Sequence, residues 1–452
     1  MLSDEQMARL IDKLPEDDRD NARSAFKPGA PLGLMEAIYF RLCGPVLGGE
    51  MLRAALESRS ATACDDPPKR LRCPRCGATT RLMECRERKV VSTVGELAWK
   101  RPVYRCPTCK TFSPFDDALG VEPGSRYSPR MAELVDRFGT DMPFTEIIDT
   151  LAEFCEFTPA HWYTHRQVGR SGERAAELQH ERARVAQRNS RAVAIEQRAK
   201  PIGASDTLVI AVDGTGVPMR TGLCNEAKVA VLYLLRDRTT DGSGRDRLQR
   251  SREVAWIGDW ETFARHVYAE ALRLGLRTVG RVVVIGDCAD WIDRLQSEFF
   301  PGAIRIADFW HTCEYLAEAA REAHGEGTAA TRKWLHVVRG KLRRGQLSAV
   351  KRALQALPAG ESRTAAMRYL RNHHKKMRYD TYLAAGLPIG SGAVEGRCKN
   401  LVGTRFKRTG SRWTPDGARP VLSLRVLWRN GDWEQLYPHS TLRHPLARRP
   451  AA

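Results

Sequence analysis

LVIAVDG at residues 208–214 and RVVVIGD at residues 281–287 decide how this chain is read. Each is a short, β-branched apolar run that stops on an aspartate, the pattern of a fully buried strand. Outward from the first, AKVAVLYLL (227–235) and REVAWIG (252–258) read as two more strands with short connections. Beyond them helices and strands alternate. ETFARHVYAEALRLGL is amphipathic, WIDRLQSEFF is a short helix, IRIAD a strand and FWHTCEYLAEAA another helix. Strands that first run consecutively and then alternate with helices predict a mixed sheet with helices on its faces. Residues from about 328 to 387 carry a wholly helical, basic pattern.

Asp213 closes the first run, Asp287 closes the second, and Glu395 follows a glycine turn in PIGSGAVEG (388–396). Three acids gathered from such distant points would repel by about 4 kcal/mol per pair at ~4 Å with an effective dielectric near 20, so a divalent cation between them is expected. Each also has a plainer reading. Asp213-Gly214 reads equally as a turn, Asp287 as the cap of the helix near Trp291, and Glu395 as an acid favoured by a helix N-terminus.

The 452 residues suffice for two or three domains, and 42% hydrophobic with 28% charged residues reads as globular. The net charge of +19 points to nucleic acid. No leader or membrane span is read, since the apolar stretch after Met35 breaks at Arg41, so the expected location is cytoplasmic, with no membrane partner. In a reducing compartment the 12 cysteines are read as metal ligands or small buried residues. Two knuckles, Cys73-Pro-Arg-Cys76-Gly and Cys106-Pro-Thr-Cys109-Lys, flank a β-like stretch with a turn at Gly95. Four thiolates at that spacing favour one structural Zn²⁺, a kind of site that contributes on the order of 10 kcal/mol to folding a small module. Cys64 and Cys85 lack a partner at knuckle spacing.

The expected organisation is multidomain α+β: a helical region over 1–70, a zinc ribbon over 71–118, a helical DNA-binding region and linker over 127–200, and a catalytic domain over 206–440. Ser3 with Gln6 reads as a capping box, and Ser128-Pro129 and Thr158-Pro159 as helix starts. Residues 144–169 read as a helix–turn–helix, with Arg166 and Arg170 for a major groove and with Trp162 and Tyr163 as core. The stretch ERARVAQRNSRAVAIEQRAK (181–200) reads as a solvated linker helix. Around Glu395, the side chains of Arg397, Lys399, Arg405, Lys407, Arg408 and Arg412, interleaved with Trp413, are expected to contact phosphates. The isolated Gly-x-Gly of VDGTGVP is a poor nucleotide-binding match.

VDGTGVP, VVVIGDCADWIDRLQSEFFPGAIRIADFWHTCEYL and GLPIGSGAVEGRCKNLVGTRFKRTGSRW together resemble bacterial insertion-sequence transposases of the ISKra type, relatives of the Mutator-like elements. CPRCG followed by VSTVGELAWKRPVYRCPTCKTFSPFDDALGV resembles the zinc region of that family, so the likeness runs from about Cys73 to Trp428. It implies a ribonuclease H-like catalytic domain with a helical insertion. It also implies a DDE triad at Asp213, Asp287 and Glu395 holding Mg²⁺ or Mn²⁺, and a supporting D-x-x-H pair at Asp308 and His311. Implied partners are double-stranded DNA, both the terminal inverted repeats of an element and its target, and further copies of the chain. Cys288 and Asp290 depart from the expected pattern, and Asp290 or Asp308 competes with Asp287 for the second position. A DNA-binding regulator without catalysis, and a nuclease without strand transfer, remain as rivals.

Overall fold

The computed structural model describes residues 8–9, 11–13, 16–25, 42–155, 160–240, 246–438, 440 and 442. The Ser3–Gln6 box and the Thr158-Pro159 start lie outside them. The fold is mixed α+β. The chain forms two compact units, Met1–Gln167 and Val168–Ala452, and the boundary falls inside the helix His161–Arg188.

The first unit carries a four-stranded antiparallel sheet in sequence order: β1 (Arg70–Arg72), β2 (Thr79–Ser92), β3 (Gly95–Cys106) and β4 (Lys110–Phe112). β2 and β3 make one long hairpin with its turn where the sequence predicts it. Its turn needs Gly95, whose φ is 97°. The Ser92 hydroxyl accepts from the Val94 N–H at 3.1 Å and donates to the Gly95 carbonyl at 2.8 Å. Val90, Leu97 and Trp99 pack with Leu56 of the helix Gly49–Asp65 and with Val121. Asp116 is buried but satisfied: the Trp99 indole donates to it at 3.1 Å, and Arg88 and Arg101 pair with it at 2.9 and 2.6 Å. The helix Pro129–Gly139 starts as its sequence predicts, with the Ser128 side chain accepting from the Met131 N–H. Of the two aromatics read as core, Tyr163 is 4% exposed and packs on Tyr127, while Trp162 is 57% exposed.

The second unit holds a five-stranded sheet. Its strands are β5 (Thr207–Pro218), β6 (Cys224–Leu234), β9 (Arg252–Ile257), β10 (Arg281–Gly286) and β11 (Ile304–Ala307), in the order β11-β10-β5-β6-β9. β5, β6 and β9 pair antiparallel, whereas β10 runs parallel to both β5 and β11. A small hairpin of β7 (Arg238–Thr240) and β8 (Asp246–Leu248) lies between β6 and β9 in the chain. Phe263, Val267 and Ala271 of the helix Trp260–Arg273 bury against Leu208, Ile210, Val212 and Leu232. Each large apolar side chain so buried contributes about 1.5–3 kcal/mol. β10 approaches β5 closely at Gly286, where an added Cβ would lie 2.4 Å from the Val212 carbonyl oxygen. The region read as wholly helical consists of helices at Ala329–Arg343, Leu347–Gln355, Glu361–His373 and Tyr379–Ala384.

Buried ion pairs tie the second unit together. Arg252 meets Glu270 at 2.8 Å and also pairs with Asp432, which Arg273 reaches at 3.1 Å. Glu253, 2% exposed, is held by Arg397 at 2.8 Å and Arg429 at 2.6 Å. The stretch read as a solvated linker is packed over its helical part. Ala183 and Ala186 are buried, and Ala186 lies against Ala269 and Leu272. One turn earlier Gln179 donates to the Ser423 carbonyl at 3.1 Å. A helix with small residues on one face buries that face without looking apolar in sequence. Among the described residues no helix is long and apolar enough to cross a membrane.

Candidate functional site

In the first unit the two knuckles close on each other. The sulfurs of Cys73, Cys76, Cys106 and Cys109 all lie within 4.8 Å of one another, with Cys76 and Cys106 at 3.5 Å. Each knuckle ends on a left-handed residue, Gly77 with φ 72° and Lys110 with φ 68°. Such a residue folds the chain back, so the Gly77 N–H reaches the Cys73 carbonyl and the Cys109 N–H points at the Cys106 sulfur, at 3.3 Å. That N–H favours the thiolate and brings the Cys106 thiol down to about 7. The donor set is four soft sulfurs close enough to share one ion, so the cluster can hold a metal such as zinc. Cys64 and Cys85, which have no knuckle spacing, are in hydrogen-bond contact with each other, and burial leads the rise of the Cys64 thiol to about 12.

In the second unit the acids share one edge of the sheet. Asp213 does not close its strand as expected: β5 continues to Pro218, with Asp213 opposite Val229 and Gly216 opposite Glu226 of β6. Gly214, which with Asp213 reads as a turn, is a strand residue and leaves room for the Glu226 side chain. The edge is made instead where β10 stops. Its register pairs Ile285 with Ala211 and Gly286 with Ala307. Continuing that register puts Asp287 level with both Asp213 and Asp308, a row of three aspartates across β5, β10 and β11. Residues level on neighbouring strands share a face. Burial raises the Asp213 carboxyl. The Gly214 N–H opposes that rise, and the charges of Asp287 and Asp308 add to it.

Glu395 stands on the short helix Gly392–Arg397, which packs against β5 and β6. Its own carboxylate is exposed. One turn on, the Cys398 thiol reaches Asp213 Oδ2 at 3.6 Å and is itself pushed up, first by burial and then by the charge of Asp213, with Glu395 adding. Cys398 is a site residue that the sequence reading missed, although its spacing of three from Glu395 puts it on the same helical face. Among the described residues, the four cysteines alone form a group of three or more metal-ligand side chains within 4.8 Å.

Asp308 acts through the main chain. It caps the helix Phe309–His324 by accepting the His311 N–H at 2.7 Å, and its other oxygen accepts the Ser391 N–H. The Phe309 N–H also donates to the Ile389 carbonyl at 2.9 Å. Asp308 thus anchors the glycine turn that delivers Glu395. The expected D-x-x-H pair does not meet through its side chains. The His311 ring lies 3.0 Å from Glu314 and edge-on to Tyr315 and Tyr369. Asp290 is exposed at the first residue of its helix. Asp287 keeps its place at the end of β10, with Oδ1 accepting the Ala289 N–H at 3.1 Å.

Two of the six expected phosphate contacts are engaged inward. Arg397 is paired with the buried Glu253, and Arg405 is 3% exposed with its guanidinium over the Trp413 ring at 4.9 Å. Both neutralise or cover interior groups, a role that a charge count does not reveal. Lys399, Lys407, Arg408 and Arg412 are exposed. The segment carrying the last three is stapled to the end of β5, where the Arg220 N–H donates to the Trp413 carbonyl and the Trp413 N–H to the Pro218 carbonyl. Lys407 donates to the Thr215 hydroxyl at 2.6 Å, two residues beyond Asp213 on the same strand face. A cation therefore stands at the acid edge.

Neither protein-family models nor curated proteins match this chain.

Proposed function

We propose that the chain is a DDE-type DNA transposase that binds the terminal inverted repeats of an insertion element, cuts there, and joins the freed 3′-OH to target DNA. The observation that carries this reading is the aspartate row at positions 213, 287 and 308, with the Glu395 helix packed on β5 and β6 and Cys398 against Asp213. Three antiparallel strands followed by two parallel ones support a ribonuclease H-like architecture for the second unit, with the helices between 328 and 387 as its insertion.

Asp213, Asp287 and Glu395 would hold Mg²⁺ or Mn²⁺. Hard carboxylate oxygens, together with a carboxyl whose ionisation its acidic neighbours oppose, fit a hard divalent cation. When bound, such ions supply activation of an attacking oxygen and stabilisation of the leaving oxygen in an in-line displacement. The chain's own residues position the strand. Lys407 offers an ammonium beside the row, and Lys399, Arg408 and Arg412 offer phosphate contacts around it. Asp308 holds the turn before Glu395 and so fixes where that acid points. The cysteine knuckles, holding zinc, and the helical region after them would recognise element ends, and two ends held together require more than one copy of the chain.

The test separates binding from cutting. Asp213→Asn and Glu395→Gln are expected to bind end DNA as the wild type does and to lose Mg²⁺- or Mn²⁺-dependent cleavage by a factor of about 10³ or more. Joined product from a pre-cut 3′-OH substrate distinguishes a transposase from a nuclease. The rival reading, a DNA-binding regulator, wins if wild type and variants bind alike and none cuts.

A further inference from the structure

Between the helical insertion and the glycine turn runs a groove of about 1170 Å³ that the catalytic reading leaves without a task. One wall is a single face of the helix Ala329–Arg343. Arg332, His336, Arg339 and Arg343 recur at spacings of four, three and four, and that helix contains no acid. No aspartate or glutamate lines the groove anywhere. The buried Nε of Arg339 has no hydrogen-bond partner among the described residues. Apart from Arg238 and Arg344 the rest of the lining is largely apolar, and Trp310 within it is 59% exposed. The indole edge rests on Gly390, where an added Cβ would lie 2.9 Å from Trp310 Cδ1. Phe309 meets the ring in a T-shaped contact at 5.3 Å, and more than half of the residue still faces solvent. The floor is the turn at residues 388–390 together with Gly392 and Ala393, the start of the helix that carries Glu395.

We propose that this groove binds an unpaired DNA strand next to the acid row, with a base stacked on Trp310 and its phosphates on the arginine face of the Ala329–Arg343 helix. Charge selects a polyanion, since every ionised side chain lining the groove is positive. The exposed indole selects a single strand, because base faces are available for stacking only where the duplex has opened. The volume agrees, being near that of small-ligand sites. This inference rests on the proposed function for the identity of the polyanion and adds to it a site for strand separation beside the reacting phosphate.

The experiment measures binding of a labelled oligothymidylate, and of a duplex of equal length, in magnesium-free buffer. Trp310→Ala is expected to weaken oligothymidylate binding about tenfold while duplex binding stays within about twofold. Trp310→Phe, which keeps an aromatic face, is expected to restore most of the loss. Oligothymidylate affinity that survives Trp310→Ala, or single-strand and duplex affinities that fall together, overturns the proposal. Because no cleavage is read, the two ideas fail separately. Trp310-dependent binding by a wild-type protein that never cuts keeps the groove and removes the transposase. Cleavage without any Trp310 effect on binding does the reverse.

Discussion

The cysteine cluster and the aspartate row are built from opposite kinds of proximity. The four thiols are neutral until they are deprotonated, so the knuckles close to 4.8 Å without a penalty and the backbone N–H groups already point at sulfur. Carboxylates brought together repel one another, and the sheet that aligns three of them spreads them across three strands, with Glu395 on a separate helix. The first site closes within one short module, whereas the second draws on strands and a helix spread along its unit.

That contrast is broken most directly at the cysteines. Cys106→Ser, or chelation of bound zinc, is expected to unfold the β2–β3 module, read as lost zinc stoichiometry and rapid proteolysis within residues 70–112. An intact hairpin without metal would make the cluster an ordinary packing feature. In the second unit the corresponding structural charges are buried pairs. Glu253→Gln leaves Arg397 and Arg429 without their shared partner and is expected to cost about 3–5 kcal/mol, measured as a shift in the denaturant midpoint. A loss of DNA affinity with unchanged stability would return Arg397 to the phosphate-binding set.

Smaller effects sharpen the comparison. Asp308→Ala is expected to cost about 1 kcal/mol as a lost helix cap, and Asp308→Asn less than that. Cleavage should fall further than stability does, because the turn before Glu395 loses its anchor. Lys407→Ala and Arg412→Ala should each reduce the slope of log affinity against log salt by about 1, while Arg405→Ala should act through stability instead. The smallest effect is electrostatic. The folded pKa of Asp213 is raised above its unfolded value, so the folded state holds the proton longer, and stability falls as pH rises from the ordinary carboxylate range through the raised value. Asp213→Asn should therefore be more thermostable than the wild type at neutral pH and lose that advantage in acid. Added Mg²⁺ should stabilise the wild type but not the variant.

The strands and the knuckles were legible because they depend on local pattern. Apolar runs such as VVVI cannot be solvated, and Cys-x-x-Cys fixes a turn within four residues. The helices between residues 329 and 384 were legible for the same reason. Asp213 was misplaced on its strand because glycine after an acid resembles a turn, and only pairing with β6 reveals a continuing strand. Arg252, Glu270 and Asp432 look like surface charge one residue at a time, and their pairing joins residues far apart in the chain. The inward turn of Arg397 and Arg405 was hidden likewise, since a guanidinium in sequence has no direction. The row itself was half legible: each of its acids follows an apolar run, but which acids stand level follows from strand register alone.

The separation of the two central aspartates is governed by a hydrogen atom. Because Gly286 lacks a methyl group, β10 can lie flush against the Val212 carbonyl, and Asp287 follows immediately behind it. One extra carbon there would act as a wedge, prising the carboxylates apart while leaving both chemically untouched. Gly286→Ala thus offers a way to detune the edge by distance instead of by charge.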